Sequence, residues 1–169
     1  MLHSALREIF DQGVAALEGL SDEDYTTPFK DVYNSTIGEH YRHLLEHFIT
    51  LHNHLSEKTI NYDQRERELS IQESRTAAIK VTYAQKEIWA AVSEEEFASE
   101  ATFCGQICAK ASESLSTSTS VSREVAYAIA HAHHHFAIIG IMCSMLKHET
   151  SSDFGIAPST VVHKQNMAV

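Results

Sequence analysis

The chain has 169 residues, a mass of 18.9 kDa and a formal charge of -10. That is one domain's worth of protein, large enough to bury a core without disulfide staples. The hydrophobic fraction of 43% excludes wholesale disorder, and 13 Lys plus Arg against 23 Asp plus Glu argue against binding a phosphate backbone. Two Pro and 6 Gly leave long stretches free of helix breakers. The 3 cysteines form no disulfide framework, which favours a reducing compartment. The first dozen residues carry charge and have no apolar signal core, and no apolar run approaches membrane-spanning length. We read the chain as soluble and cytoplasmic, with neither nucleic acid nor membrane as a partner.

The first helix is predicted over residues 2–20, with Leu6, Ile9, Phe10, Gly13, Val14 and Leu17 on one stripe. A loop over 21–31 follows, with Pro28 and acids as breakers. The second helix spans 36–55, opened by a Thr36/Glu39 capping box in which each side chain satisfies the other's backbone N–H. Residues 56–68 read as a polar, charged loop. The third helix spans 71–92, with Ser70 and Glu73 as a second capping box. Residues 93–119 are rich in Ser, Thr and small side chains. We read them as a long connection with room for a short β-hairpin over 101–114. The fourth helix runs from about 120 to 148. Residues 149–169, with Pro158, form a tail expected to pack over the bundle without entering its core. The fold class is therefore all-α: a single domain over 1–169, built as an antiparallel four-helix bundle with a long third connection.

Twelve histidines are the unusual feature; protonating all of them would move the charge from -10 to +2. They concentrate in GEHYRHLLEHF, with His40, His43 and His47, and in IAHAHHHFAII, with His131, His133, His134 and His135. At about 100° per residue, His131 and His135 point into the apolar stripe of the fourth helix. On the same count His134 sits at its edge and His133 faces solvent. On the second helix His43 and His47 are also an i,i+4 pair, and the stripe of Ile37, Leu44, Phe48 and Leu51 lies nearer His47. Pattern alone thus prefers His47 as the inward residue. An isolated inward histidine is ordinarily a hydrogen-bonded core residue. Two pairs on two helices are better explained by one shared metal ion, which satisfies several buried imidazoles at once. Imidazole suits Zn, Ni, Fe and Cu alike.

Other chemistry is thinner. Glu124 lies two turns before His131 on the same face, as a carboxylate supporting a metal ligand, as a proton acceptor, or simply as a complement to the helix N-terminus. Cys104 and Cys108 form C-x-x-x-C, not a redox C-x-x-C, and Cys143 is off the histidine face. Paired E-x-x-H motifs, a Gly-rich phosphate loop and a G-x-S-x-G elbow are all missing from the sequence.

The run T-I-G-E-H-Y-R-H-L-L-E-H-F from Thr36 resembles the second helix of DinB-like proteins, and H-A-H-H-H-F-A-I-I from His131 resembles their fourth. The resemblance covers roughly residues 2–148. It implies a four-helix bundle holding a divalent metal (Zn, Ni or Fe) by three histidines. Carried over by position, these are His43, His131 and His135, with His47 as an alternative or fourth ligand. Characterised relatives include thiol S-transferases using bacillithiol or mycothiol and a mycothiol-dependent isomerase. The resemblance therefore implies a metal-dependent enzyme acting on a small-molecule thiol and an electrophile. We read Glu124 or Tyr127 as assisting proton transfer, and the protein as a homodimer. The competing expectation is a non-catalytic, metal-stabilised bundle used for binding or stress response; a closed four-histidine site would favour it.

Overall fold

The computed structural model describes residues 1–30, 34–110 and 113–167. Positions 31–33, 111, 112, 168 and 169 lie outside the described residues, and with them the end of the predicted 21–31 loop, part of the predicted hairpin and the end of the tail.

Four long helices carry the core: α1 (Leu2–Glu18), α3 (Ile37–Asn53), α5 (Arg75–Ala90) and α7 (Val121–Met145). Contacts run from α1 to α5 and α7, and from α3 to α5 and α7, so each helix touches two neighbours and the four close into a bundle. The stripe read in α1 is the buried one: Leu6, Ile9, Phe10, Gly13, Val14 and Leu17 all face inward. The box at the start of α3 is also present. Thr36 Oγ1 accepts from the Glu39 N–H at 2.9 Å, and Glu39 accepts from the Thr36 N–H at 2.9 Å.

Several local expectations change. Residues 21–31 contain a short helix, α2 (Asp22–Thr26), capped by Ser21, whose Oγ accepts from the Asp24 N–H. The predicted third helix is two. α4 (Leu69–Glu73) ends at Ser74, and α5 starts there because Ser74 Oγ accepts from the Ala77 N–H. The Ser70/Glu73 box does not form; Glu68 caps α4 instead. The break lets α4 cross α3 at Gly38, where an added Cβ would stand 2.2 Å from the Gln72 carbonyl oxygen.

The charged loop after α3 contributes a strand, β1 (Thr59–Asn61), and a 3-10 turn (Tyr62–Gln64). Past α6 (Glu94–Ala98), β2 (Glu100–Gly105) and β3 (Leu115–Ser120) pair antiparallel, with Phe103 opposite Thr117. The hairpin is thus real, but its second strand lies beyond the expected 101–114. β1 joins β2 in parallel, with Ile60 opposite Phe103, giving the order β1-β2-β3. This small sheet carries Tyr62 on one side and hands the chain directly into α7 on the other, so it frames the N-terminal end of α7.

The tail contributes to the core, where none of it was expected: Phe154 is buried in the core cluster and stacks on Phe136 with centroids 4.8 Å apart. Burial of one such ring contributes about 2 kcal/mol. It then forms α8 (Pro158–Met167), none of whose described residues is buried. No helix among the described residues is long and apolar enough to cross a membrane.

Candidate metal centre

α3 and α7 pack directly on each other, and their histidines meet at that contact. The potential ligand atoms of His43, His131 and His135 all lie within 4.8 Å of one another. His43 Nε2 and His131 Nε2 are 3.1 Å apart. Two imidazoles bonded to one ion at about 2.0–2.1 Å stand about 2.9–3.4 Å apart for angles between octahedral and tetrahedral. The His43–His131 spacing falls inside that interval, and the His135 ligand atom lies within 4.8 Å of both.

Electrostatics point the same way. Burial pushes His43, His47 and His135 down to about 3 and His131 down to about 4. Neighbouring imidazoles and the Arg65 guanidinium add to the shift of His43 and His131. All four are therefore neutral at physiological pH. A neutral imidazole is the form that ligates, so the site needs no proton release to accept a cation. The donor set, its spacing and its protonation state all fit a divalent ion.

The remaining histidines take distinct places. His47 is buried, and its Nδ1–H donates to the His43 carbonyl at 2.9 Å, which leaves Nε2 with the lone pair. Its ring lies 4.1 Å from that of His131 and 4.8 Å from that of His43. The residue preferred by the apolar stripe is thus indeed inside, but it stands beside the converging three. His40, which sequence reasoning did not select, bonds through Nδ1 to His135 Nδ1 at 3.0 Å and through Nε2 to Ser35 Oγ at 2.8 Å. That chain fixes the orientation of His135 and leaves its Nε2 for a ligand. The signal was available: positions 40, 43 and 47 share one helix face at i, i+3 and i+7.

His133 corrects the expectation of exposure: it is only 9% exposed, whereas His134 is exposed. α7 is covered by α3 on one face and by α1 on the other, so a helical phase drawn for one buried stripe misplaces the second. Glu8 of α1 is the charged neighbour of His133. His54 lies outside the cluster, capping the end of α3 with its Nδ1–H on the Thr50 carbonyl. Cys143 is buried, which pushes its thiol up to about 11, and Cys108 is exposed. Neither is a ligand here.

Glu124 is 3% exposed and accepts from the Tyr62 hydroxyl at 3.0 Å and from Thr119 Oγ1 at 2.7 Å. The second partner comes from β3 and the first from the turn after β1, so the sheet holds this carboxylate. Tyr62 in turn packs its ring 5.1 Å from His47. Tyr127 is partly exposed and stacks on His131, with centroids 5.8 Å apart and planes at 22°. Glu124 and Tyr127 also line a cavity of about 360 Å³ between the sheet and α7.

A helical bundle with three converging neutral imidazoles between its second and last long helices defines a class of candidate metal-binding bundle. The DinB superfamily profile matches residues 5–139, and the chain belongs to that superfamily. Among solved structures, a DinB-like protein (YjoA) from Bacillus subtilis superimposes with a TM-score of 0.62 at 16% identity, covering 88% of this chain and 93% of that one. At that identity the likeness establishes the fold alone. No curated protein matches the chain.

Proposed function

We propose that this protein is a divalent-metal-dependent enzyme that joins a small thiol to an electrophile. The observation that carries the reading is the convergence of His43, His131 and His135 as neutral imidazoles at ligand spacing. His43, His131 and His135 would hold the ion, and a site of three protein ligands would keep a position for an incoming molecule. A divalent ion bound there lowers the pKa of a thiol and supplies a thiolate near neutral pH.

The chain's own residues do the rest. Glu124 is the proton acceptor. It is buried, held by two hydroxyl donors, and lines a cavity whose Tyr127 wall stacks on His131. It takes the proton that the thiol gives up on becoming a thiolate; the sulfur electron pair then forms the bond to the electrophilic carbon, whose leaving group departs with its own electron pair. Tyr127 positions His131 by stacking on it. His40 holds His135 in place. In this reading the protein works in the cytoplasm as a homodimer, with a small-molecule thiol as its partner.

A second reading, a non-catalytic metal-stabilised bundle, draws on His47, whose ring stands close enough to His131 to supply a fourth ligand. The two separate in a cobalt-substituted protein. If the site is open, adding 2-mercaptoethanol creates a sulfur-to-cobalt charge-transfer band. The loaded protein then also accelerates conjugation of that thiol to 1-chloro-2,4-dinitrobenzene, with release of chloride. An unchanged spectrum and no acceleration would eliminate the transferase reading and leave the stabilised bundle.

A further inference from the structure

The cavity between the sheet and α7 is built differently from the histidine site. Its walls are Phe103, Ile107 and Leu115 from the two strands and the loop joining them, and Tyr127 from α7. Its volume of about 360 Å³ lies in the range of small-molecule sites. Thr117, Ser118 and Thr119 of the strand and two charged groups interrupt the apolar lining. Glu124 sits buried within it, and Arg123 reaches over the Tyr127 ring, its guanidinium carbon 5.5 Å from the centroid. The carboxylate is already met by Tyr62 and Thr119, with Arg123 Nη1 3.7 Å away. The Arg123 side chain is 64% exposed, so most of its donors remain open to a ligand.

We propose that this groove binds a small molecule with a flat apolar body and one anionic group, the anion resting on Arg123 and the body between the strand side chains and Tyr127. Tyr127 belongs to both places, since it lines the groove and stacks on His131. A ligand seated there is presented toward the histidines. The apolar part of the wall, Phe103, Ile107, Leu115 and Tyr127, suits the body of an organic electrophile. The groove is therefore the electrophile site. That assignment of role rests on the proposed transferase reading; the binding chemistry itself does not.

Two probes with one skeleton test it: 8-anilinonaphthalene-1-sulfonate and its uncharged analogue N-phenyl-1-naphthylamine, titrated by fluorescence into the folded protein. The sulfonate is expected to bind saturably at one site per chain. Leu115→Asp sets a carboxylate into the wall at an exposed strand end and should weaken both probes about tenfold. Arg123→Gln should weaken the sulfonate about two- to fivefold, the scale of an exposed charge pair, and leave the uncharged probe unchanged. His131→Ala should change neither, so loss of the metal site and loss of the groove are read separately. Absence of saturable binding, or binding indifferent to Leu115→Asp, overturns the proposal. Sensitivity to Leu115→Asp without any effect of Arg123→Gln on the sulfonate overturns its anionic part. Circular dichroism of each variant establishes that the fold is retained, and Ile107→Asp, at a 72% exposed position, replaces Leu115→Asp if that variant unfolds.

Discussion

Lowering the pH of the metal-free protein from 7 to 5.5 should remove a large part of its stability. His43, His47 and His135 are held at about 3 and His131 at about 4, against 6.5 when unfolded. Their folded values are depressed, so the unfolded chain binds more protons as the pH falls below 6.5, and stability falls with it. Over this interval each group loses about 1.2 kcal/mol, with one pKa unit taken as 1.36 kcal/mol. Four groups lose about 5 kcal/mol. His43 and His131 are partly open to solvent, and discounting them for screening brings the total to about 3–5 kcal/mol. His40 and His133 are lowered too and act with the same sign. Glu46 is raised by burial and acts against them. A domain of ordinary stability has about 5–15 kcal/mol in total, so the melting temperature should fall by roughly 6–20 °C. Urea unfolding followed by circular dichroism, on protein treated with chelator, measures it directly. The His43→Ala/His131→Ala double variant should show about half the loss. A change under about 1 kcal/mol between pH 7 and 5.5 would refute the claim that these imidazoles are buried together and neutral.

Other perturbations bear on particular contacts. Gly38→Ala drives a methyl into the Gln72 carbonyl where α4 crosses α3, and should cost about 1–3 kcal/mol by thermal melting; an unchanged melting temperature would mean that the crossing is looser than described. Glu124→Gln keeps the shape but removes the proton acceptor. Thiol conjugation by the metal-loaded protein should fall about 100-fold while metal affinity stays near wild type, and equal losses of both would make Glu124 a part of the metal site instead. His47→Ala should weaken metal binding by no more than about 10–100-fold, the scale of a group outside the ligand set, whereas His43→Ala should weaken it far more. Equivalent losses, measured by competition with a chelating dye, would make His47 a fourth ligand.

The long helices were legible because each buries a single stripe whose period a reader can count. The α3 start was legible because Thr36 and Glu39 are the reciprocal caps that chemistry demands. The third helix was misread at its start: Ser70 and Ser74 both precede helical sequence, and only packing of α4 on α3 selects Ser74 as the break. β1 was hidden in a charged loop, since three residues whose middle member alone is buried carry no periodic signal. The ligand question could not be closed by periodicity. His43 and His47 are both close to the core, and what separates them is the convergence of the His43, His131 and His135 ligand atoms, visible only in three dimensions. His133 was misplaced for the reason that α7 has two covered faces. The groove was invisible because Phe103, Leu115 and Tyr127 are brought together across the sheet–helix junction, far from any local motif.

The central claim is that His43, His131 and His135 hold one divalent ion. Its most direct measurement is the metal content of untagged protein, purified without an affinity metal column from metal-replete medium, alongside the His131→Ala/His135→Ala double variant. The account predicts about one divalent ion per wild-type chain and essentially none in the variant. Wild-type protein that contains no metal and whose melting temperature does not move with added Zn or Ni would contradict it.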